Sequence, residues 1–172
     1  MRNYRYALLP LALAAACAHA DDALSLTDAL TGGKVTIDSR LRMENVGDDA
    51  VAKDANALTW RNRVGYRTAP WLGLSLFAEL EDVRALDDSY NSTANGRTQY
   101  ATVADPEGSE WNQAGIAWDS GHGTQVVAGR QRLVLDNQRF FGNVGWRQNE
   151  QTFDALTATQ TIAKNTTLRY AY

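Results

Sequence analysis

Cysteine is almost missing: the 172-residue chain has one, Cys17. A lone cysteine excludes an internal disulfide and a thiolate metal cluster. Histidine numbers two and proline three, too few for an imidazole cluster or a Pro-rich linker. Basic excess is lacking as well. Lys+Arg 17 against Asp+Glu 20 gives a net charge of -3, the wrong sign for nucleic acid as the main partner. No apolar run approaches the ~20 residues of a membrane helix. What is present is a globular share of hydrophobic residues, 44%, which excludes wholesale disorder. Five Trp and seven Tyr suit β-structure with aromatic anchors.

The first 20 residues read as a secretory signal peptide. Arg2 and Arg5 supply the positive start, Ala7 to Ala16 the short apolar stretch, and Ala18-His19-Ala20 an A-x-A cleavage site. Cys17 offers a second reading, a lipoprotein box, which Ala14 three residues earlier fits poorly. Removing the signal takes away two arginines and no acid, so the net charge moves from -3 to -5. An exported chain without a membrane helix has three destinations: the periplasm, the medium, or an outer membrane crossed by strands. Residues 21–33 read as a short periplasmic segment, with one helical turn between Asp22 and Leu30 capped by Ser25 or Thr27.

From residue 34 to residue 172 the chain alternates with period two. Val35, Ile37, Leu41 and Met43 share a face interrupted only by Ser39; Lys34, Thr36, Asp38, Arg40, Arg42 and Glu44 share the other. A helix of period 3.6 cannot separate those sets. Leu58 to Thr68 repeats the pattern, with Leu58, Trp60, Val64 and Tyr66 opposed to Thr59, Arg61, Arg63, Gly65 and Arg67, and Asn62 as the exception. Leu72 to Val83 sets Leu74, Leu76, Ala78 and Leu80 against Ser75, Phe77, Glu79 and Glu81. Further strands are expected at Glu110–Asp119, Thr124–Val134, Arg147–Thr161 and Thr166–Tyr172. In the fifth of the seven, Val127 and Leu133 oppose Arg130 and Arg132, with Val126 misplaced.

Short turns alternate with long polar connections, Arg84–Gly108 being the longest. That rhythm is the layout of outer-membrane β-barrels. Trp60, Tyr66, Trp71, Trp118, Tyr170 and Tyr172 stand near strand ends, where aromatic girdles sit. A soluble β-sandwich also alternates, but lacks the long–short rhythm. The fold expected is therefore all-β, an antiparallel transmembrane barrel. Seven strands are an odd count where bacterial single-chain barrels have even ones, so the expectation is an incomplete piece of a larger barrel, or a small closed barrel with one strand overlooked.

Several separated blocks carry a resemblance. Leu26-Thr27-Asp28-Ala29-Leu30-Thr31-Gly32-Gly33-Lys34, Arg40-Leu41-Arg42-Met43-Glu44, Trp60-Arg61-Asn62-Arg63-Val64-Gly65-Tyr66, Gly129-Arg130-Gln131 and the run from Arg139 to Gln148 into Thr152-Phe153-Asp154-Ala155 resemble the alginate export family of outer-membrane porins. The resemblance implies the amino-terminal part of a monomeric barrel of about eighteen strands. It further implies an arginine-rich pore for an anionic polysaccharide.

The residues themselves point to binding and passage. Arg40, Arg42, Arg61, Arg63 and Arg67 project to one side of adjacent strands, and Arg130, Arg132 and Arg169 are expected to join them. Guanidinium groups match carboxylates bidentately. Glu79 and Glu81 are expected on the same side as salt-bridge partners. Two readings remain open, a stiffening salt-bridge lattice and an anion-selective wall. Catalysis has little support: His122 is the only histidine after the signal and sits in a Gly-rich turn, and there is no G-x-S-x-G. No catalytic residue, metal site or cofactor is expected. The partners expected are membrane lipid, lipopolysaccharide, the outer-membrane assembly machinery, and an anionic solute or polysaccharide. The alternatives are a small eight-stranded barrel acting as a structural or adhesion module through Arg84–Gly108, and a secreted soluble β-domain.

Overall fold

A computed structural model describes residues 25–135, 137–138 and 141–172. The expected signal peptide, with Cys17, lies outside the described residues. The chain begins with α1 (Leu26–Thr31) and continues through β1 (Lys34–Val46), β2 (Ala55–Arg67), β3 (Leu74–Ser89), β4 (Gly108–Asp119), β5 (Thr124–Gln131), β6 (Phe153–Ala163) and β7 (Thr166–Ala171). The seven strands form one antiparallel sheet in sequence order. The sheet is open: β1 and β7 are its edges. Among the described residues the fold is thus all-β with almost no helix.

Ser25 caps α1. Its hydroxyl accepts from the Asp28 amide at 3.1 Å while Asp28 accepts from the Ser25 amide at 3.1 Å, a reciprocal box that satisfies two otherwise orphaned donors. The Ser25 hydroxyl, donating to Asp28 Oδ2 at 2.6 Å, and then the Ser25 amide hold the Asp28 carboxyl below the usual carboxylate range. The helix is pinned to the short-turn end of the sheet. Tyr66 donates its hydroxyl to Leu30 O at 2.6 Å and accepts from Gly33 N at 3.1 Å, and Ala69 N donates to Ala29 O at 3.0 Å.

Most strand limits differ from the sequence expectation by one to three residues or more, and three of the differences bear on the site. β3 continues past Val83 to Ser89, because Ala85 and Asp87 still pair with Thr59 and Leu58 of β2. β5 stops at Gln131 instead of Val134, and β6 starts at Phe153 instead of Arg147. Bulges occur where two residues oppose one, at Leu58/Thr59 against β3 and at Glu79/Leu80 against β4.

The two faces of the sheet have opposite character. Cross-strand rows such as Ile37–Val64–Leu80–Trp111 and Leu74–Trp118–Val126–Ala158–Tyr170 build an apolar face. It is bare: Ile37 is 76% and Met43 75% exposed. The other face carries most of the charged strand residues and buries those at its centre, with Arg61 at 3% and Glu81 at 1%. A water-soluble domain arranges these the other way round. The apolar core proper is small. Ala55, Ala57, Tyr90, Ala101 and Val103 pack together where the 90–107 connection folds over the long-loop end of β2. Tyr90 donates to Asp105 O at 2.9 Å. Burial, with the Glu107, Asp105 and Asp88 carboxylates, pushes its hydroxyl up to about 12.

The strands are staggered. Register neighbours lead from Lys34, at the start of β1, through Arg67, Phe77, Gly115 and Gly129 to Ala155. The short-turn end of β1 is therefore level with the long-loop end of β6. A progressive shear of this sense is what a sheet needs to tilt and curl into a barrel wall. Close approach of neighbouring backbones in the sheet requires glycine at Gly129. Gly129 has φ +121, and a Cβ there would lie 2.4 Å from Ala114 O.

Candidate functional site

Period two and the β1–β2 register place Arg40 opposite Arg61 and Arg63 opposite Asp38. Like charges directly opposed are unfavourable, and the surroundings compensate them unequally. Arg61 pairs with Asp38. Arg63 pairs with its register neighbour Glu81 through Nε and with Glu150 through Nη2 at 3.3 Å. Arg42 pairs with Glu44 and lies 3.6 Å from Asp105. Among the described residues, Arg40 donates to neutral oxygens only: Gln148 Oε1 at 2.9 Å, Gly145 O at 3.2 Å and Arg147 O. Among the described residues, the buried Nε and Nη1 of Arg61 and Oε1 of Glu81 have no hydrogen-bond partner.

Two connections reach down onto this face. Residues 143–150 lie along it. Arg42 donates to Trp146 O at 2.7 Å and its guanidinium lies 5.7 Å from the Trp146 ring centre. Gln148 is wholly buried and joins three parts of the molecule. Its side chain donates to Thr59 Oγ1 at 2.8 Å and accepts from Arg40, while its amide donates to Asp105 Oδ1 at 3.0 Å. Asp105 comes from the 90–107 connection, so both connections are tied to β1 and β2 through one residue.

Glu150 is the deepest anion of the segment, its side chain 2% exposed. It accepts from Asn112 Nδ2 at 2.6 Å, from Asn143 Nδ2 at 2.6 Å and from Arg132 Nε, besides its pairing with Arg63. Arg132 also binds Glu79, which accepts from Asn112 at 2.8 Å. Asn112 reaches this cluster because it is the extra residue of the β3–β4 bulge, with Glu79 paired to Gln113 and Leu80 to Trp111.

The expected residues therefore divide. Arg40, Arg42, Arg61, Arg63, Glu79, Glu81 and Arg132 converge. Arg67 is on the same face near the short-turn end, over the Phe77 ring at 4.6 Å and donating to Ser75 at 3.0 Å. Arg169 shares the polar face, as the register neighbour of Thr159, but stands apart on the edge strand. Arg130 is on the other face, which corrects the expected grouping. Its register neighbours are Ala114 and Asp154, in the alternation that carries Ile116 and Trp118. There it forms a bidentate pair with Asp154 at 2.9 and 2.8 Å. Sequence reasoning missed Asp105, Asn112, Asn143, Gln148 and Glu150. The available signal was a surplus of arginine needing acids, beside an aperiodic run, Gln148-Asn149-Glu150-Gln151, rich in acceptors.

Chemically the cluster holds carboxylates and amide oxygens with fixed guanidinium and carboxamide donors. Near it the charges are largely matched, so the lattice reading describes most of it. Within the cluster, and among the described residues, positive charge is least compensated at Arg40, which has no carboxylate partner, and next at Arg61, which has Asp38 alone. No family model and no curated protein matches the chain.

Proposed function

We propose that the chain is part of the wall of an outer-membrane porin. On this reading the apolar face meets lipid and the arginine face lines a lumen narrowed by residues 143–150. The solutes are anionic, acidic polysaccharide or its oligomers among them. The observation that carries the reading is the inverted distribution of residues, with large aliphatic side chains bare on one face and arginine and glutamate buried on the other. A contiguous exposed apolar face of a soluble monomer marks an interaction surface, and a strand-period one with charge behind it suits a barrel in lipid. The stagger and the short-turn rhythm favour the same reading. Hydrocarbon does not tolerate open sheet edges, so β1 and β7 pair with further strands there. Arg40 and Arg61 supply the field that favours anions, focused by a low-dielectric wall.

Spin labels at Val35, Ile37 and Leu41 of the protein in outer-membrane vesicles test the reading. Accessibility to oxygen with protection from a water-soluble paramagnetic complex is expected, with the opposite at Thr36. Water exposure at all three apolar sites overturns it.

A further inference from the structure

The donors around Glu150 have a property the rest of the lattice lacks. Arg63 comes from β2, Asn112 from the β4 bulge, and Arg132 from just beyond β5. Glu79 and Glu81 grip other nitrogens of Arg132 and Arg63 and so orient both guanidinium groups. Three wall donors thus converge on one point, and what fills that point is not a wall residue. It is a carboxylate carried by an aperiodic segment. The segment's other attachments are a longer ion pair, Arg147 with Glu44 at 3.4 Å, the Gln148 amide on Asp105, and neutral oxygens and a carboxamide at Arg40, Arg42 and Thr59. Glu150 is the one carboxylate the segment sets against these three donors. A carboxylate bound by two guanidinium groups and an amide is what a uronic acid residue would also present.

We propose that Arg63, Arg132 and Asn112 form a carboxylate-binding site, that Glu150 occupies it as a built-in substitute for a carboxylate of the passenger, and that uronate-type carboxylates displace it and free residues 143–150 from the wall. The identity of the passenger rests on the porin reading; the site itself does not. The displacement has a direction. A ligand binds the released form only, so it shifts the segment in proportion to its differential affinity for the two arrangements. Neutral sugars have no such preference.

The experiment places a spin label at Gln151, an exposed position, by Gln151→Cys in the full chain in lipid vesicles. Trigalacturonate is the probe and maltotriose the neutral control. Trigalacturonate is expected to mobilise the label while maltotriose does not. Glu150→Gln retains the size but presents an amide nitrogen to a ring of donors. It is expected to lower the half-maximal trigalacturonate concentration about ten-fold, equivalent to about 1.4 kcal/mol. Glu150→Asp keeps the charge and is expected to stay nearer the unsubstituted protein. Equal potency of the two sugars, or an unchanged concentration in Glu150→Gln, overturns the proposal. The sugar comparison needs no Glu150 variant, so a misfolded variant leaves it decisive. Water exposure of labels at Ile37 would refute the porin reading alone.

Discussion

Replacing Ile37 by arginine separates a membrane wall from a water-soluble sheet. Ile37 is 76% exposed, and its register neighbour Val64 and the next in the row, Leu80, are bare too. In water the new side chain would displace no packing, and a surface substitution of this kind changes stability by about 0.5 kcal/mol or less. In hydrocarbon the same change costs about 2–4 kcal/mol near the midplane and about 0–1 kcal/mol near the interfaces. The ratio of folded to unfolded protein would then fall about 30- to 700-fold. Leu76→Arg and Ile116→Arg extend the comparison along adjacent strands, where Leu76 and Ile116 are register neighbours. The measurement is urea unfolding of the protein in vesicles, followed by tryptophan fluorescence and by heat-modifiable gel mobility. A set of penalties that varies with position and peaks above 2 kcal/mol agrees with a bilayer around this face. All three variants within about 0.5 kcal/mol of the parent would refute it.

Two other outcomes follow from the polar side. Arg63→Ala leaves Glu81 and Glu150 buried without their shared cation, and removal of one partner from a buried pair costs about 3–5 kcal/mol. The urea midpoint is expected to drop accordingly, and adding Glu81→Gln to recover part of the loss. The Tyr90 hydroxyl, raised to about 12, gives the 90–107 connection an alkaline limit. The raised value stabilises the protonated folded form, so its contribution is complete below about pH 10, the ordinary phenol value. It is lost as the pH rises toward the raised value. Phenolate absorbance is expected to show one late-titrating tyrosine that Tyr90→Phe removes.

Legibility in the sequence followed the contrast between faces. In β1 and β2, arginine alternates with aliphatic residues so sharply that only a strand fits. Even the two interruptions make sense together. Ser39 and Asn62 are register neighbours, Ser39 donates to Asn62 Oδ1 at 2.8 Å, and Trp60 Nε1 donates to Ser39 Oγ at 2.8 Å. One exposed polar group would be costly in an apolar row, and each supplies the other's partner. β5 was ambiguous because two valines are adjacent and Gly129 weakens the pattern. Its neighbours decide the matter: Val126 faces Trp118, so Arg130 two register steps on must share that face. Alternation within one strand cannot say which face looks where; pairing can. The docking of residues 143–150 had no local signature, since its contacts span about a hundred positions, as in Arg40 with Gln148. Bulges are equally silent, and one of them aims Asn112 at Glu150.

On the porin reading proposed above, the offset between neighbouring strands would have a consequence for anything moving along the arginine face. Side chains from successive strands are met one after another on a slant, as on a spiral stair. Arg42 and Arg40 come from β1, Arg61 and Arg63 from β2 and Arg132 from just beyond β5, and Arg63 and Arg132 meet where Glu150 now rests. A flexible polyanion descending that stair would exchange one guanidinium grip for the next in small steps, never releasing all its charges to water at once.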